Sequence, residues 1–378
     1  MRLQRLTIHH LRNIDTASLA PSSRINWIVG PNASGKTTLL EGIHLLALGR
    51  SFRSRAEQRL LVRDGCERLT VFGELISSAG SQTRVGLEKS RESGTRLRIN
   101  GETQSSLAQL VELLPVQLID PHSHLLISGS PSERRAFLDW GVFHVEPGYL
   151  GYWRDYRRIL GQRNALLRRG APEREIRIWD RELIRIAEWL TEERRSYLET
   201  FQPLFERYAR ARFELSGIEL RLRTGWSREL TFAEALERSL EGDYAQGHTR
   251  VGPHRADLLI RIHGQPAAER TSRGQQKLIA AALRLAQVDF YRQLKGEGCV
   301  LLVDDLPSEL DAAHRHALLS AIDQVDAQAF ITATDRDWAR QLMTDLATPS
   351  SLVKERANQD DALFFSMFDG VVNVDKMV

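Results

Sequence analysis

Eight consecutive residues, Gly30-Pro31-Asn32-Ala33-Ser34-Gly35-Lys36-Thr37, have the types and spacing of a loop that wraps phosphate. Glycines at both ends let the backbone curl so that successive N–H groups point inward at phosphate oxygens. The helix that must follow adds its partial positive charge. In that frame the loop residues and Thr38 line a nucleotide triphosphate. Lys36 reaches the β- and γ-phosphates, and the Thr37 hydroxyl ligates magnesium.

A second set of reactive groups lies far downstream. Val300-Leu301-Leu302-Val303 runs into Asp304-Asp305, four apolar residues ending in two carboxylates. A buried parallel strand reads this way, and open α/β sheets hold ligands at the carboxyl ends of their strands. Asp304 is then placed to hold Mg²⁺, directly or through water. Asp305 is placed to orient and polarise an attacking water, so geometry matters more there than basicity. Upstream, Thr271-Ser272-Arg273-Gly274-Gln275-Gln276-Lys277 opens a helix with Ser272 as its N-cap, and Gly274 lets backbone approach a ligand. Such an end is either an anion site or simply a capped helix.

These groups need a scaffold of strands that end in loops. Arg2–Ile8 alternates and Ile25–Val29 is apolar, so both read as strands, and the phosphate loop follows the second. Strands are expected at 70–76, 83–89 and 95–99, with Asn100-Gly101 as a hairpin turn, and a short buried one at 116–119. The texture then turns helical over 132–140, 149–167 and 174–210, where Ile178, Leu183, Ile186, Trp189 and Leu190 fall roughly on one face. The helices at 149–167 and 174–210 could pack as an antiparallel pair, and sustained heptads are missing. Strands at 218–223, 258–263, 299–303 and 329–331 alternate with helices at 232–240, 272–294 and 312–322. The expected fold is α/β and split, with 1–122 and 246–378 flanking a mostly helical insertion at 123–245 and no long coiled coil.

Composition narrows the setting. The chain has 378 residues, 42% hydrophobic and 27% charged, the profile of a soluble globular protein. It shows no apolar run of membrane-spanning length, and its first residues lack a signal-peptide core. Cys66 and Cys299 stand far apart, which points to a reducing, cytoplasmic setting without a disulfide framework or zinc site. Net charge is only +3, but arginine is concentrated. Arg50–Arg63 holds five arginines against Glu57, and Gly151–Arg195 twelve arginines against eight acids. Such clusters suit either phosphate-backbone contacts or a merely solvated surface. His122/His124 and His314/His316 lack metal-ligand spacing, and Trp153 and Trp179 sit at helical core positions.

Taken in order, the phosphate loop, Ser272-Arg273-Gly274-Gln275, the Asp304-Asp305 pair and Ser308-Glu309-Leu310-Asp311 resemble the ABC-type ATPase head, a P-loop NTPase fold shared by transporters, SMC proteins and DNA-repair ATPases. The serine-glycine segment looks like its signature motif and the last segment like its D-loop. His10-Leu11-Arg12-Asn13 resembles the Phe-Arg-Asn element of SMC-like repair ATPases, with Leu11 in place of Phe, and implies that Arg12 contacts nucleotide. Ser51-Phe52-Arg53 resembles a basic Ser-x-Arg element. Ser130–Trp140 and Gly252-Pro253-His254-Arg255-Ala256-Asp257 look like hallmark segments of the RecF family, and the likeness runs over essentially the whole chain.

That resemblance implies ATP and Mg²⁺ as cofactors and a weak DNA-dependent ATPase. It implies a homodimer in which Ser272, Gly274 and Gln275 of one copy close over the γ-phosphate bound by the other. It also implies action on duplex DNA near single-strand gaps, independent of sequence, with RecR and RecO, to help load RecA. Three departures stand out. Asp305 replaces the usual Glu, which implies slow turnover. Thr332-Ala333-Thr334 occupies the region of the switch histidine. The Q-loop glutamine, a magnesium contact, falls on Gln117. Rival readings are an ATPase subunit coupled to a membrane transporter and a nucleotide-gated scaffold with negligible hydrolysis.

Overall fold

The computed structural model describes residues 1–53, 61–90, 92, 94–305, 311–347 and 362–375. Chain packing divides it into two units, Met1–Ser123 with Arg284–Val378, and His124–Leu283.

The first unit opens with β1 (Arg2–Leu11), β2 (Ile14–Leu19) and β3 (Ile25–Val29), followed by α1 (Lys36–Leu48). Next come β4 (Arg68–Ile76), β5 (Gln82–Ser90), β6 (Gly94–Ile99), β7 (Glu102–Gln104), α2 (Ala108–Leu113) and β8 (Val116–Ile119). Side chains alternate along β4: Leu69, Val71 and Leu75 are buried, while Arg68 and Glu74 face out. An antiparallel sheet in the order β2-β1-β4-β5-β6-β7 results, one face apolar and one polar. Helix α1 is buried on nearly every side, as its mostly apolar sequence requires. Its Gly42 comes so close to β1 that a Cβ would stand 2.3 Å from Ile8 Cδ1. The β6–β7 turn is Asn100-Gly101, both left-handed (φ 51° and 88°), as a tight hairpin turn demands.

The second unit contains α3 (Leu125–Ser128), α4 (Pro131–Val145), α5 (Tyr149–Arg168), α6 (Glu173–Phe213), β9 (Ile218–Arg223), α7 (Phe232–Gln246), β10 (Asp257–Ile262), β11 (Gln265–Pro266) and α8 (Ala267–Arg270). Helix α9 (Arg273–Lys295) leads the chain back to the first unit. The α5–α6 pair is antiparallel: Arg163 meets Asp180, Tyr152 stacks against Trp189, and Tyr149 meets Arg194. Ile176 is buried, whereas Ile178, expected on the apolar face of α6, is 72% exposed. Two arginines are fully buried here. Arg163 is held by Asp180, Asp243 and Thr249, and Arg194 by Asp139 and the Tyr149 hydroxyl. Their charges are tolerable only because carboxylates and hydroxyls surround them.

The second unit reaches Leu283 and so includes Thr271–Lys277, which the sequence reading grouped with 246–378. The reason is strand pairing: β10 pairs antiparallel with β9 from Asp257↔Arg223 to Ile262↔Ile218, which ties 257–262 to the inserted region.

The chain then completes a second sheet with β12 (Val300–Val303), α10 (Ala312–Gln324), β13 (Gln328–Ala333), α11 (Arg336–Ala347), β14 (Ala362–Phe368) and β15 (Val371–Asp375). Its order is β15-β14-β3-β13-β12-β8, parallel except at β15. Strand β3 is buried at all five positions and sits between β14 and β13. Among the described residues, no helix is long and apolar enough to cross a membrane.

Candidate nucleotide site

The loop 30–37 springs from the carboxyl end of β3. Gly30 must lack a side chain, because a Cβ would lie 2.1 Å from the backbone oxygen of Met367 in β14. Ala33 and Gly35 are left-handed, with φ 65° and 109°. Together these turns wind the loop, whose outside is pinned where Gly370 N donates to Ser34 O at 2.9 Å. Lys36 Nζ folds back on the loop and donates to Gly30 O and Pro31 O, both at 2.8 Å. Burial lowers the Lys36 pKa, and the charges of Asp304 and Asp305 oppose that shift.

Strand β13 lies between β3 and β12, so its last residues separate the loop from the aspartates. Thr37 Oγ1 donates to Asp304 Oδ1 at 3.0 Å, and Thr332 Oγ1 donates to the same oxygen at 2.8 Å. The Asp305 N–H donates to Thr332 Oγ1 at 2.7 Å. Asp305 itself is left-handed, at φ 52°, a conformation non-glycine residues adopt at a cost. Burial raises the Asp304 pKa. Hydrogen bonds from Thr332 and Thr37 counter the shift, and the neighbouring charges of Asp120 and Asp305 add to it.

These residues fit a magnesium-bound triphosphate. Ser34 Oγ is buried and has no hydrogen-bond partner among the described residues, so the loop holds an unsatisfied donor. The loop's close approach forbids a side chain at Gly30. A hydroxyl and one carboxylate are an all-oxygen donor pair, which suits Mg²⁺, an ion that takes few protein ligands and fills its shell with phosphates and water.

Arg12, expected to contact nucleotide, meets an acid of α1. Its guanidinium forms a two-pronged pair with Glu41 of α1, at 2.5 and 2.9 Å, and Glu41 is wholly buried. Ser51 also donates to Glu41, and Arg53 stands 3.8 Å from it, so the Ser51-Phe52-Arg53 segment and Arg12 share one carboxylate. The neighbouring Asn13 touches the loop instead: its amide donates to Ala33 O and accepts from Thr38 Oγ1. The Thr38 hydroxyl is thus bonded to Asn13.

Gln117 is not brought to the aspartates. It lies mid-strand in β8, opposite Leu301, with its amide nitrogen on Gln287 Oε1 and its amide oxygen on Arg284 Nη1, both at 3.0 Å. Both ends of the amide are engaged by α9, which explains its burial at a strand position and removes it from the metal.

Ser272, Gly274 and Gln275 begin α9 in the second unit. Ser272 Oγ accepts from Gln275 N at 3.3 Å, and Gln275 Oε1 accepts from Ser272 N at 2.9 Å, a reciprocal cap. Both residues are exposed. Ser308, Glu309 and Leu310 lie outside the described residues, as does Arg55; Asp311 caps α10 by accepting from His314 N. The Ser130–Trp140 and Gly252–Asp257 segments pack on each other. Arg134 pairs with Asp257 at 2.7 Å, and Arg135 donates to Ala256 O. His254 accepts from the Tyr156 hydroxyl and donates to Thr249 O, and burial pulls its pKa down to about 4.

Sequence reasoning left the two threonines of 332–334 unresolved and missed Glu41 and Asp120. The Thr332 assignment follows from the strand running two residues further than its apolar core. Glu41 gave a signal: it is an acid on an otherwise apolar helix.

A family model described as RecF/RecN/SMC N terminal domain matches residues 2–354. The DNA replication and repair protein RecF of Pseudomonas entomophila is 42% identical over 342 residues, covering 90% of this chain and 93% of the relative. Its counterpart in Pseudomonas fluorescens is 43% identical over 344 residues with the same coverage. Among solved structures, the recombination mediator protein RecF-ATP of the RecFOR pathway superposes with TM-score 0.82 at 26% identity, over 99% of this chain and 98% of that one. An Smc head bound to the C-winged helix domain of ScpA matches with TM-score 0.57 at 17% identity, over 99% and 97%, a likeness of fold.

Proposed function

The chain belongs to the RecF family, and from that premise we propose that it is an ATP-binding, DNA-binding mediator of recombinational repair that works as an ATP-driven homodimer. One observation carries the reading: Lys36, Thr37, Asp304 and Thr332 converge from three neighbouring strands' ends on one point, in a loop whose buried Ser34 hydroxyl has no partner among the described residues. Bound magnesium would neutralise charge on the β- and γ-phosphates. Lys36 exchanges its two carbonyl partners for phosphate oxygens. Thr37 and Asp304 hold the cation's side of the site. Asp305, turned by its left-handed backbone, orients the attacking water, and its short side chain keeps hydrolysis weak.

Ser272 and Gln275 are exposed and Gly274 half-buried, all at a helix N-terminus, which suits them to cover the phosphate of a second copy. The dimer would close on duplex DNA beside a single-strand gap in the cytoplasm, and with RecO and RecR help load RecA. Its DNA contact would be phosphate-mediated and weaken steeply with salt. RecF membership weighs against the transporter-coupled reading, and the two carboxylates against a scaffold without hydrolysis.

Sedimentation with and without ATP tests the proposal. The parent protein should dimerise in ATP. Ser272→Arg should bind ATP yet stay monomeric, and Asp305→Asn should accumulate as an ATP-bound dimer. A parent that stays monomeric in saturating ATP removes the shared-nucleotide dimer.

A further inference from the structure

We propose that the polar face of the antiparallel sheet in the first unit binds single-stranded DNA, with an unpaired base on Phe72 and its phosphates on arginines of β4, β5 and β6. This extends the DNA reading above to the open strand of a gap and rests on it.

Strand register fixes the surface. Phe72 of β4 lies opposite Gly86 of β5, which lies opposite Arg98 of β6. In the row on one side, Glu74 opposes Arg84; in the row on the other, Glu88 stands between Thr70 and Arg96. Arg68 follows at the start of β4. Alternation puts all of these on the face away from α1, where all but Glu74 line an open trough of about 950 Å³.

Two features make the trough more than a solvated sheet. The first is the slot beside the ring. A Cβ on Gly86 would meet nothing within 4 Å, and its backbone is not left-handed, so neither crowding nor strain calls for glycine. Glycine inside a strand weakens it and suits a place where another molecule approaches closely. Here its missing side chain leaves open space across from the half-buried Phe72, room for a planar group.

The second is the charge balance. Glu88 stands 3.5 Å from Arg68 and 4.0 Å from Arg96, and Glu74 stands 3.8 Å from Arg84. Two carboxylates therefore face four arginines, with the pairs at the long end of ion-pair range and the arginines largely in solvent. Such pairs are worth little, so a phosphate displaces them cheaply. An aromatic ring on a sheet, ringed by arginines, is the arrangement that holds unstacked bases and their backbone. A duplex offers no free base face to the ring. An acidic peptide would use the arginines and leave the slot empty.

The test is fluorescence anisotropy of labelled oligo(dT) and of a blunt duplex on the full chain, comparing the parent with Gly86→Val and Arg98→Glu. Valine fills the slot without touching the core and favours the strand. Each variant should lose roughly tenfold or more of its oligo(dT) affinity, the worth of one stacked base or a reversed phosphate contact, and keep its duplex affinity. Unchanged oligo(dT) binding by both variants, with parental melting curves, overturns the proposal. So does a parallel loss of duplex binding, which would mark a surface read by charge alone, and so does displacement of oligo(dT) by an acidic peptide at equal charge. A parent that binds oligo(dT) and no duplex overturns the duplex reading above, while a parent that binds duplex and no oligo(dT) overturns this one.

Discussion

Thr332→Val replaces a hydroxyl by a methyl of nearly the same size at a position that is 1% exposed. Packing is conserved, so the change isolates two hydrogen bonds. One is donated to the Asp304 carboxylate at 2.8 Å, and bonds to charged groups are worth about 1.5–3 kcal/mol. The other is accepted from Asp305 N at 2.7 Å; Asp305 is exposed, so water can replace the lost partner and the bond is worth about 0.5–1.5 kcal/mol. That amide also holds Asp305 left-handed against its own preference, so the residue is expected to relax and lose its aim at the water. Because relaxation recovers part of the sum, the loss in the transition state should be on the order of 3 kcal/mol, roughly 100-fold in turnover. Phosphate release at saturating ATP measures it. A second readout separates positioning from packing. Thr332 holds the Asp304 pKa down against burial, so the valine variant's acid limb of kcat/KM should move to higher pH. Thr332→Ser should restore both rate and limb. Full activity in the valine variant, or failure of serine to rescue, would refute the argument.

Gly30→Ala should cripple nucleotide binding while the protein stays folded, because its Cβ would meet the Met367 carbonyl at 2.1 Å and displace the loop; calorimetry with an ATP analogue checks this. Lys36→Ala should remove most ATP affinity in the same assay, since the phosphates lose their counter-charge. Asp243→Ala should cost about 3–5 kcal/mol in urea unfolding, because it strips a carboxylate from the fully buried Arg163. His44 and His254 are both held neutral, each with its pKa lowered to about 4 by burial. Their unfolded forms take up protons near pH 6.5, so stability should fall as pH drops from 6.5 toward 4. His254→Gln should flatten that slope by up to one proton's worth, about 1.4 kcal/mol per pH unit, in unfolding curves at pH 7 and 5.

The phosphate loop and the Asp304 strand were legible because their signals are local. A mostly apolar strand before a glycine-rich loop, and four apolar residues before a pair of carboxylates, need only the chain neighbours to be read. Gln117 shows the limit. Its position near a strand end resembled a site residue, but an amide at a buried position needs partners, and those came from α9, 167 and 170 positions away. Arg12 meets a similar limit: nothing nearby in sequence reveals that Glu41 will pair with its guanidinium. The sequence reading ended the helical insertion at 245, because β10 looks like any short strand until its partner β9 is known. Thr332 was ambiguous because a hydroxyl's role depends on which strand lies beside it, which sequence order does not give.

The placement of β3 has a consequence for biogenesis. The strand that launches the phosphate loop is flanked by β13 and β14, and Asn26 bonds a carbonyl 303 positions later. A nascent chain emerging from the ribosome must therefore carry that loop unsupported until β13 and β14 have been made. Pairing so distant is slow to form and exposes apolar edges meanwhile. Nonsense mutations just before β14, which remove β14 and β15, should therefore yield aggregates rather than a stable, inactive head.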